Sequence, residues 1–426
     1  MRAPTSSAIR EITLLGLYLS IGILFRLWLA SLAPQPFIND QRDYDYFAGK
    51  ILADPHMIAS HSFRTYPYPM LLALLYRFVG FGNHQAVIVF QAILDSLTGV
   101  LIYALVLLIR QKKSTARLAL FIYALNPFTA GYVNVVLSEV MATFFMVASV
   151  LSGAIFVKTP SKRWGLLFGF TMGLSAQTRN AVFLWTLIPL GLALYYVPLR
   201  KNVGGYGWIA LGVFLTMIYP LISNWRDFRE IRATTVDSFY AKEFFNGVVI
   251  RRLAPLAPPL PMETYEMYAQ YYSEYNPERD SNYRKMISRK YYDMAWERIW
   301  QDPLDYLTVR LDKMWYVWQK EAIYVYREPG FEKHKPWIYA LNLILLAMGG
   351  VGLFLWKRSL TPQSHISRWV WGTVMGTIVY STFVFSLTHA EHRLTIPFYP
   401  LLIVCGAIGL NNLRSYIFRS HSSISP

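Results

Sequence analysis

Residues 12–33 read ITLLGLYLSIGILFRLWLASLA, a run in which Arg26 is the one charged side chain. A helix needs roughly 20 mostly apolar residues to cross the hydrocarbon core of a bilayer, so this stretch decides the class of the protein. Arg2 and Arg10 precede it, and no small-residue cleavage site follows at the distance a signal peptide requires. It is therefore expected to be a retained first span.

The same pattern recurs along the chain. Apolar runs at 13–34, 84–109, 118–135, 139–157, 164–178, 180–199, 204–223, 336–356, 369–388 and 394–411 predict an all-α membrane protein with about ten transmembrane helices. The runs 164–178 and 180–199 form a hairpin turning at Gln177-Thr178-Arg179-Asn180, and 69–80 is too short to cross and suits the interface. Composition agrees: 54% of residues are hydrophobic and 15% charged, against about a quarter charged in soluble domains. Many of the 30 Tyr, 26 Phe and 13 Trp fall at the ends of apolar runs, as in the aromatic belts of membrane proteins. Cys405 is the sole cysteine, which excludes an intrachain disulfide and a Cys-based metal site.

With a cytoplasmic N-terminus, sixteen Lys and Arg residues and one acid, Glu11, fall in the cytoplasmic segments. They cluster at 110–117, 158–163, 200–201 and 357–368 and near both termini, which are then both cytoplasmic. Nearly the whole net charge of +16 lies there, so the basic balance needs no nucleic-acid partner. Two segments on the opposite side are long. The chain then divides into an N-terminal transmembrane module (1–225) with a first outer loop at 35–68, an extracytoplasmic cap (226–335), and C-terminal helices with a short cytoplasmic tail (336–426). In the cap, Leu253 to Met262 is Pro-rich and loosely structured, 280–300 has helical spacing, and Asp302-Pro303 opens another helix.

The chemistry-bearing residues gather on that outer side. Asp40, Asp43 and Asp45 stand within six residues. A carboxylate beside low-dielectric surface is expected to have a raised pKa and to suit general-base work. The plainer reading is an acidic turn capping a helix over Tyr44–Leu52. Arg64 precedes Tyr66-Pro67-Tyr68-Pro69 and either clamps a phosphate with its planar fork or reaches lipid headgroups. Ser138-Glu139 opens a helix, where Ser138 is a natural cap and Glu139 suits the positive helix end. Arg179 stands alone on the side depleted of positive charge, which favours a specific anionic partner. In His389-Ala390-Glu391-His392-Arg393 the two histidines are a weak metal signal, since imidazole ligands need a third partner; Arg393 suits an anion or Glu391. Arg26 and Asp95 lie inside spans, where they either pair or act in function.

Asp40-x-x-x-Tyr44-x-x-x-Ala48, Arg64 ahead of Tyr68-Pro69, Leu71 to Tyr76 (LLALLY), Gln91 to Thr98 (QAILDSLT), Leu137-Ser138-Glu139, Gly173 to Asn180 (GLSAQTRN) and Glu391 to Pro400 (EHRLTIPFYP) occur in the order and spacing of one family. Together they resemble the protein O-mannosyltransferase and aminoarabinose transferase branch of the GT-C glycosyltransferases. The likeness covers the first 225 residues and the last helix, and 226–335 only loosely. It implies a glycosyltransferase taking its sugar from a polyprenyl-phosphate donor, undecaprenyl phosphate in bacteria, with a lipid, glycan or protein acceptor and an inner-membrane location. Relatives differ in metal use; a polyprenyl phosphate is already a workable leaving group, so no metal and no cofactor are expected. Asp40 matches the catalytic base. Arg64 matches the phosphate contact, although Thr65-Tyr66 replaces the usual proline pair. Asp43 stands where some relatives carry Arg and is a rival base. The resemblance assigns Glu139, Arg179, Tyr44, Tyr68 and Arg393 to substrate and donor-phosphate binding. A transporter for lipid-linked saccharides and another lipid-linked glycan polymerase or ligase are the alternatives.

Overall fold

The computed structural model describes residues 6–60, 64–234, 239–250, 262–274, 281–388 and 390–422. Leu253–Pro261 and His389, which figured in the sequence reading, lie outside these residues. The described chain is helical: α1 (Ser6–Leu32), α2 (Asp40–Ala53), α3 (Pro67–Val79), α4 (His84–Arg110), α5 (Lys113–Ala124), α6 (Pro127–Ala130), α7 (Glu139–Lys158), α8 (Lys162–Thr178), α9 (Leu187–Tyr196), α10 (Val203–Phe228), α11 (Phe239–Val249), α12 (Met262–Glu274), α13 (Ser281–Gln301), α14 (Pro303–Tyr316), α15 (Phe331–Arg358), α16 (His365–Ser386) and α17 (Tyr399–Ser422). A 3₁₀ helix over His392–Phe398 leads into α17.

Six described segments are long and apolar enough to cross a membrane: most of α1, then α4, α7, α10, α15 and His392–Leu413. The other four expected spans are shorter or more polar. The run 118–135 breaks at Asn126-Pro127, where the Asn126 side chain accepts from Phe128 N at 2.8 Å and opens a new turn. α8 has 17 residues and α9 has 10. α16 has 22 residues but carries buried Thr373, Thr377, Ser381 and Ser386. Its hydroxyls survive inside the protein by donating to carbonyls one turn back, as Thr377 Oγ1 does to Thr373 O at 2.6 Å. α7 and the 392–413 segment are the most enclosed spans, and α1 lies at the periphery.

Two devices fix the frame. Arg26 and Asp95, both fully buried, pair at 2.6 Å between α1 and α4. Tyr123 Oη donates to the second Asp95 oxygen at 2.5 Å, and Arg26 reaches the carbonyls of Gly22 and Ala124 at 3.1 and 2.9 Å. These intramembrane charges thus pair with each other and are satisfied. The second device is the contact of α8 with α10. A Cβ at Gly169 would lie 2.0 Å from Ile209 O, and one at Gly212 would lie 2.4 Å from Leu166 O. The two backbones touch, which small residues alone permit.

α4 has 27 residues, about 40 Å at 1.5 Å per residue, and separates two ends of the bundle. At its C-terminal end Arg110 reaches Asn412 at 2.7 Å, Lys112 reaches Asn411 at 2.8 Å, and Arg117 pairs with Glu11 at 2.5 Å. At its N-terminal end His84 stands 3.3 Å from Asp45, on the helix that carries Asp40.

Candidate active site

The start of α2 is pinned before any site residue is placed. Gln41, almost fully buried, donates to Pro36 O at 2.8 Å and accepts from Val136 N at 2.9 Å. Asn39 precedes the helix at φ 52°, ψ −134°, a backbone region that glycine enters more cheaply than other residues. The helix therefore begins at Asp40, four residues earlier than the expected Tyr44–Leu52. Asp40 sits in its first turn, where the helix dipole favours a carboxylate.

Asp40 is shared between two guanidiniums. Arg64 Nη2 donates to Oδ1 at 2.6 Å and Arg393 Nη1 to Oδ2 at 2.6 Å. Burial pushes the Asp40 pKa up, but Arg64 and Arg393 outweigh it and hold the carboxyl well below the usual carboxylate range. The expectation of a raised pKa is thus reversed, because two cations reach this carboxylate, Arg64 from the same outer loop and Arg393 from 353 residues away. Asp43 also accepts from Arg64 Nη2, at 2.8 Å, and is more exposed than Asp40.

Behind this pair lies a second one. Glu139 is fully buried at the start of α7 and meets Arg179 Nη1 at 2.5 Å. Arg393 Nε is 3.9 Å from the same Glu139 oxygen and pairs closely with Glu391. Ser138 does not cap α7 as its sequence position suggested. Its hydroxyl instead accepts from Tyr44 Oη at 3.1 Å. The Arg64 guanidinium lies over the Tyr44 ring at 5.1 Å.

A cavity of about 210 Å³ opens onto this cluster. Asp40, Tyr44, Arg64, Glu139, Arg179 and Arg393 line it, together with Ser138 and Glu391. Asp43 reaches the cavity through Arg64. Tyr68 does not line it: its hydroxyl donates to Gln91 Oε1 at 2.9 Å and its ring packs edge-on against Tyr44 at 5.0 Å. Gln91 in turn donates to the carbonyls of Val133 and Val135 at 2.9 and 2.8 Å. Tyr68 thus supports Tyr44 and the chain leading to Ser138. The lining also has an apolar part, from Phe183, Leu184, Val384 and Phe385, with Tyr380. Sequence reasoning missed this part, because α16 reads as an ordinary span with nothing to mark the side that faces a void.

Arg64 is held by its neighbours. Thr65 Oγ1 donates to Thr178 O at 3.3 Å, Tyr66 Oη donates to Thr216 O at 3.0 Å, and the Tyr66 ring stacks on Tyr219 at 4.4 Å. On the other side of the loop, Asp227 accepts from Ser60 N at 2.7 Å, and Tyr219 Oη donates to Ala59 O at 2.9 Å.

The profile of the dolichyl-phosphate-mannose-protein mannosyltransferase family matches residues 56–220. No curated protein matches the chain. Among solved structures, the Archaeoglobus fulgidus oligosaccharyltransferase, determined as a complex with zinc and sulfate, aligns over 94% of this chain and 49% of its own, with 14% identity and a TM-score of 0.53. The chain spans about half the length of that relative. ArnT from Cupriavidus metallidurans, bound to undecaprenyl phosphate, aligns over 96% of this chain and 80% of its own, with 11% identity and a TM-score of 0.40. The chain thus matches the model of the dolichyl-phosphate-mannose-protein mannosyltransferase family over residues 56–220, and its helical fold is similar to that of the oligosaccharyltransferase.

Proposed function

We propose that the protein is a membrane glycosyltransferase that moves a sugar from a polyprenyl-phosphate donor to an acceptor hydroxyl. One observation carries this reading. Six ionisable side chains from five separate segments (Asp40, Arg64, Glu139, Arg179, Glu391 and Arg393) converge on one cavity whose lining also has an apolar part. A ligand with an anionic head, a polar sugar and a hydrocarbon tail matches both kinds of lining. The family match over residues 56–220 points to the same donor chemistry.

The charge pattern suggests how donor binding prepares the base. Four carboxylates (Asp40, Asp43, Glu139 and Glu391) face three guanidiniums, so net charge does not draw a phosphate in. Affinity comes from partition of the tail against the apolar wall and from exchange of partners. When the donor phosphate takes Arg64, Asp40 loses one of the two cations that depress its pKa and becomes a better base. Asp40 then accepts the proton of the acceptor hydroxyl as its oxygen attacks the anomeric carbon. The bond from that carbon to the phosphate oxygen breaks on the opposite face, with inversion. Arg64 and Arg179 stabilise the charge that grows on the leaving phosphate. They supply there the positive charge a divalent ion would bring, and we infer a metal-independent reaction. By the distribution of basic residues, the cavity end of the bundle is extracytoplasmic, and the natural setting is a bacterial inner membrane.

The test is transfer from radiolabelled polyprenyl-phosphate sugars in nanodiscs, with and without a chelator. Asp40→Asn is expected to abolish transfer while retaining donor, Asp43→Asn is expected to stay active, and the chelator is expected to change nothing. A dead Asp43→Asn with an active Asp40→Asn would move the base by three residues. Movement of lipid-linked sugar across the bilayer without transfer would replace the enzyme by a transporter.

A further inference from the structure

Helix α14 is built inside out for a helix in water. A surface helix of a soluble domain turns its apolar stripe inward and its charges outward. In α14 the side turned to the protein carries Arg310 and Lys313, both buried, beside Val309 and Tyr316. Arg310 donates to Ser386 O at 2.5 Å and also to Gly247 O. Lys313 Nζ donates to Gly247 O at 2.6 Å and to Thr388 O at 2.9 Å. The opposite side is Leu304, Leu307, Leu311 and Trp315, spaced as one helical stripe and 46–76% exposed. Trp300, at the end of α13, is 75% exposed beside it.

Hydrocarbon is the surrounding that makes this orientation favourable: cations are satisfied by carbonyls inside the protein and apolar side chains face out. The adjoining surface supports that choice. α16, against which α14 packs, exposes Met375, Val379 and Phe383, and Leu387 just past its end continues the row at every fourth position. α15, one of the six long apolar spans, exposes Leu341, Ile344 and Val351. Arg310 grips α16 at Ser386, next to Leu387, so α14 packs at the end of α16 where the exposed row finishes. α14 has 14 residues, too few to cross a bilayer, and its N-cap Asp302 and first-turn Asp305 are exposed.

We propose that α14 lies in the plane of the membrane, with Leu304, Leu307, Leu311 and Trp315 sunk into lipid, and is not part of an aqueous cap. The depth fits interfacial helices, about 5–10 Å into the headgroup and acyl boundary. The bilayer then bears on the active cavity itself, because the carbonyls that α14 grips, at 386 and 388, flank or belong to the wall formed by Val384, Phe385 and Thr388.

The sole native cysteine, Cys405, is buried, so single cysteines can be labelled in a Cys405→Ala background. An environment-sensitive fluorophore would be placed at Leu304→Cys, Leu307→Cys or Leu311→Cys, with Asp293→Cys on the exposed polar side of α13 as the control. In nanodiscs of phosphatidylethanolamine and phosphatidylglycerol, nitroxide lipids labelled near the top of the acyl chain are expected to quench the three α14 labels several-fold more than the control. Aqueous iodide is expected to do the reverse. Iodide quenching of the α14 labels equal to that of Asp293→Cys would place the stripe in water and overturn the proposal. Shielding from both quenchers, with cross-linking between copies, would assign the stripe to a second copy and overturn it as well. No readout depends on sugar transfer, so the result stands apart from the proposed enzymatic activity.

Discussion

Two arginine–carboxylate networks in this protein use the same chemistry to opposite ends. Between α1 and α4, Arg26 and Asp95 are sealed, and each has its remaining partners supplied by the Tyr123 hydroxyl and by backbone carbonyls. At the cavity, Asp40 is divided between Arg64 and Arg393, Arg64 is divided between Asp40 and Asp43, and Arg393 is divided between Asp40 and Glu391. The sealed pair has one arrangement. In the open cluster each group is shared among competing partners and a void lies beside it, which is what partner exchange with a ligand requires. Buried charge alone therefore marks neither structure nor function; a surplus of competing partners next to a cavity marks function.

The largest expected effect separates the two. Asp40→Asn is expected to lower transfer by about 10²–10⁴-fold, the usual worth of a general base, in protein that still folds. Equal loss from Arg26→Ala in protein that remains folded would erase the distinction. Next, Arg26→Ala strands a buried carboxylate and is expected to cost about 3–5 kcal/mol of stability, with much of it recovered in the double variant Arg26→Leu/Asp95→Leu. Thermal unfolding in detergent reads both, and no double apolar replacement at Asp40 and Arg64 is expected to restore transfer.

A smaller effect comes from pH. The folded-state pKa of Asp40 is depressed, so the stability it contributes is fully present above the unfolded carboxylate pKa of about 3.9 and is lost as pH falls below it. Stability is expected to be level from neutral pH down to about 5 and to drop below about 4, with a shallower drop in Asp40→Asn. Smallest of all, Asp43→Asn removes a partly exposed contact and is expected to change transfer by no more than about 1 kcal/mol in barrier, read as kcat/KM for the donor.

Much of this was legible in sequence. The spans at α1, α4, α7, α10, α15 and α17 follow from length and apolarity. Asp40, Arg64, Glu139, Arg179 and Arg393 stand out through the family motifs they belong to, and Arg179 also because the outer side is depleted of positive charge. What was hidden depends on contacts between distant segments. The direction of the Asp40 pKa needed Arg393, which follows it by 353 residues. Ser138 reads as a cap until Tyr44 is seen to claim it. The orientation of α14 is invisible to periodicity, which counts apolar positions without saying which face meets the protein. The span count blurred because α16 hides its hydroxyls against its own carbonyls.

The glycine contact of α8 with α10 has a consequence for what the cavity measures. Arg179 follows the last residue of α8, and α10 moors the loop of Arg64 through Thr216, Tyr219 and Asp227. Because the two backbones touch at Gly169 and Gly212, these two arginines ride on a single stiff jaw of a caliper. Arg393 and Glu391 sit on the other jaw, at the head of α17, and Asp40 has one oxygen on each. One carboxylate thus ties the two sides of the cavity together, through Arg64 on one and Arg393 on the other.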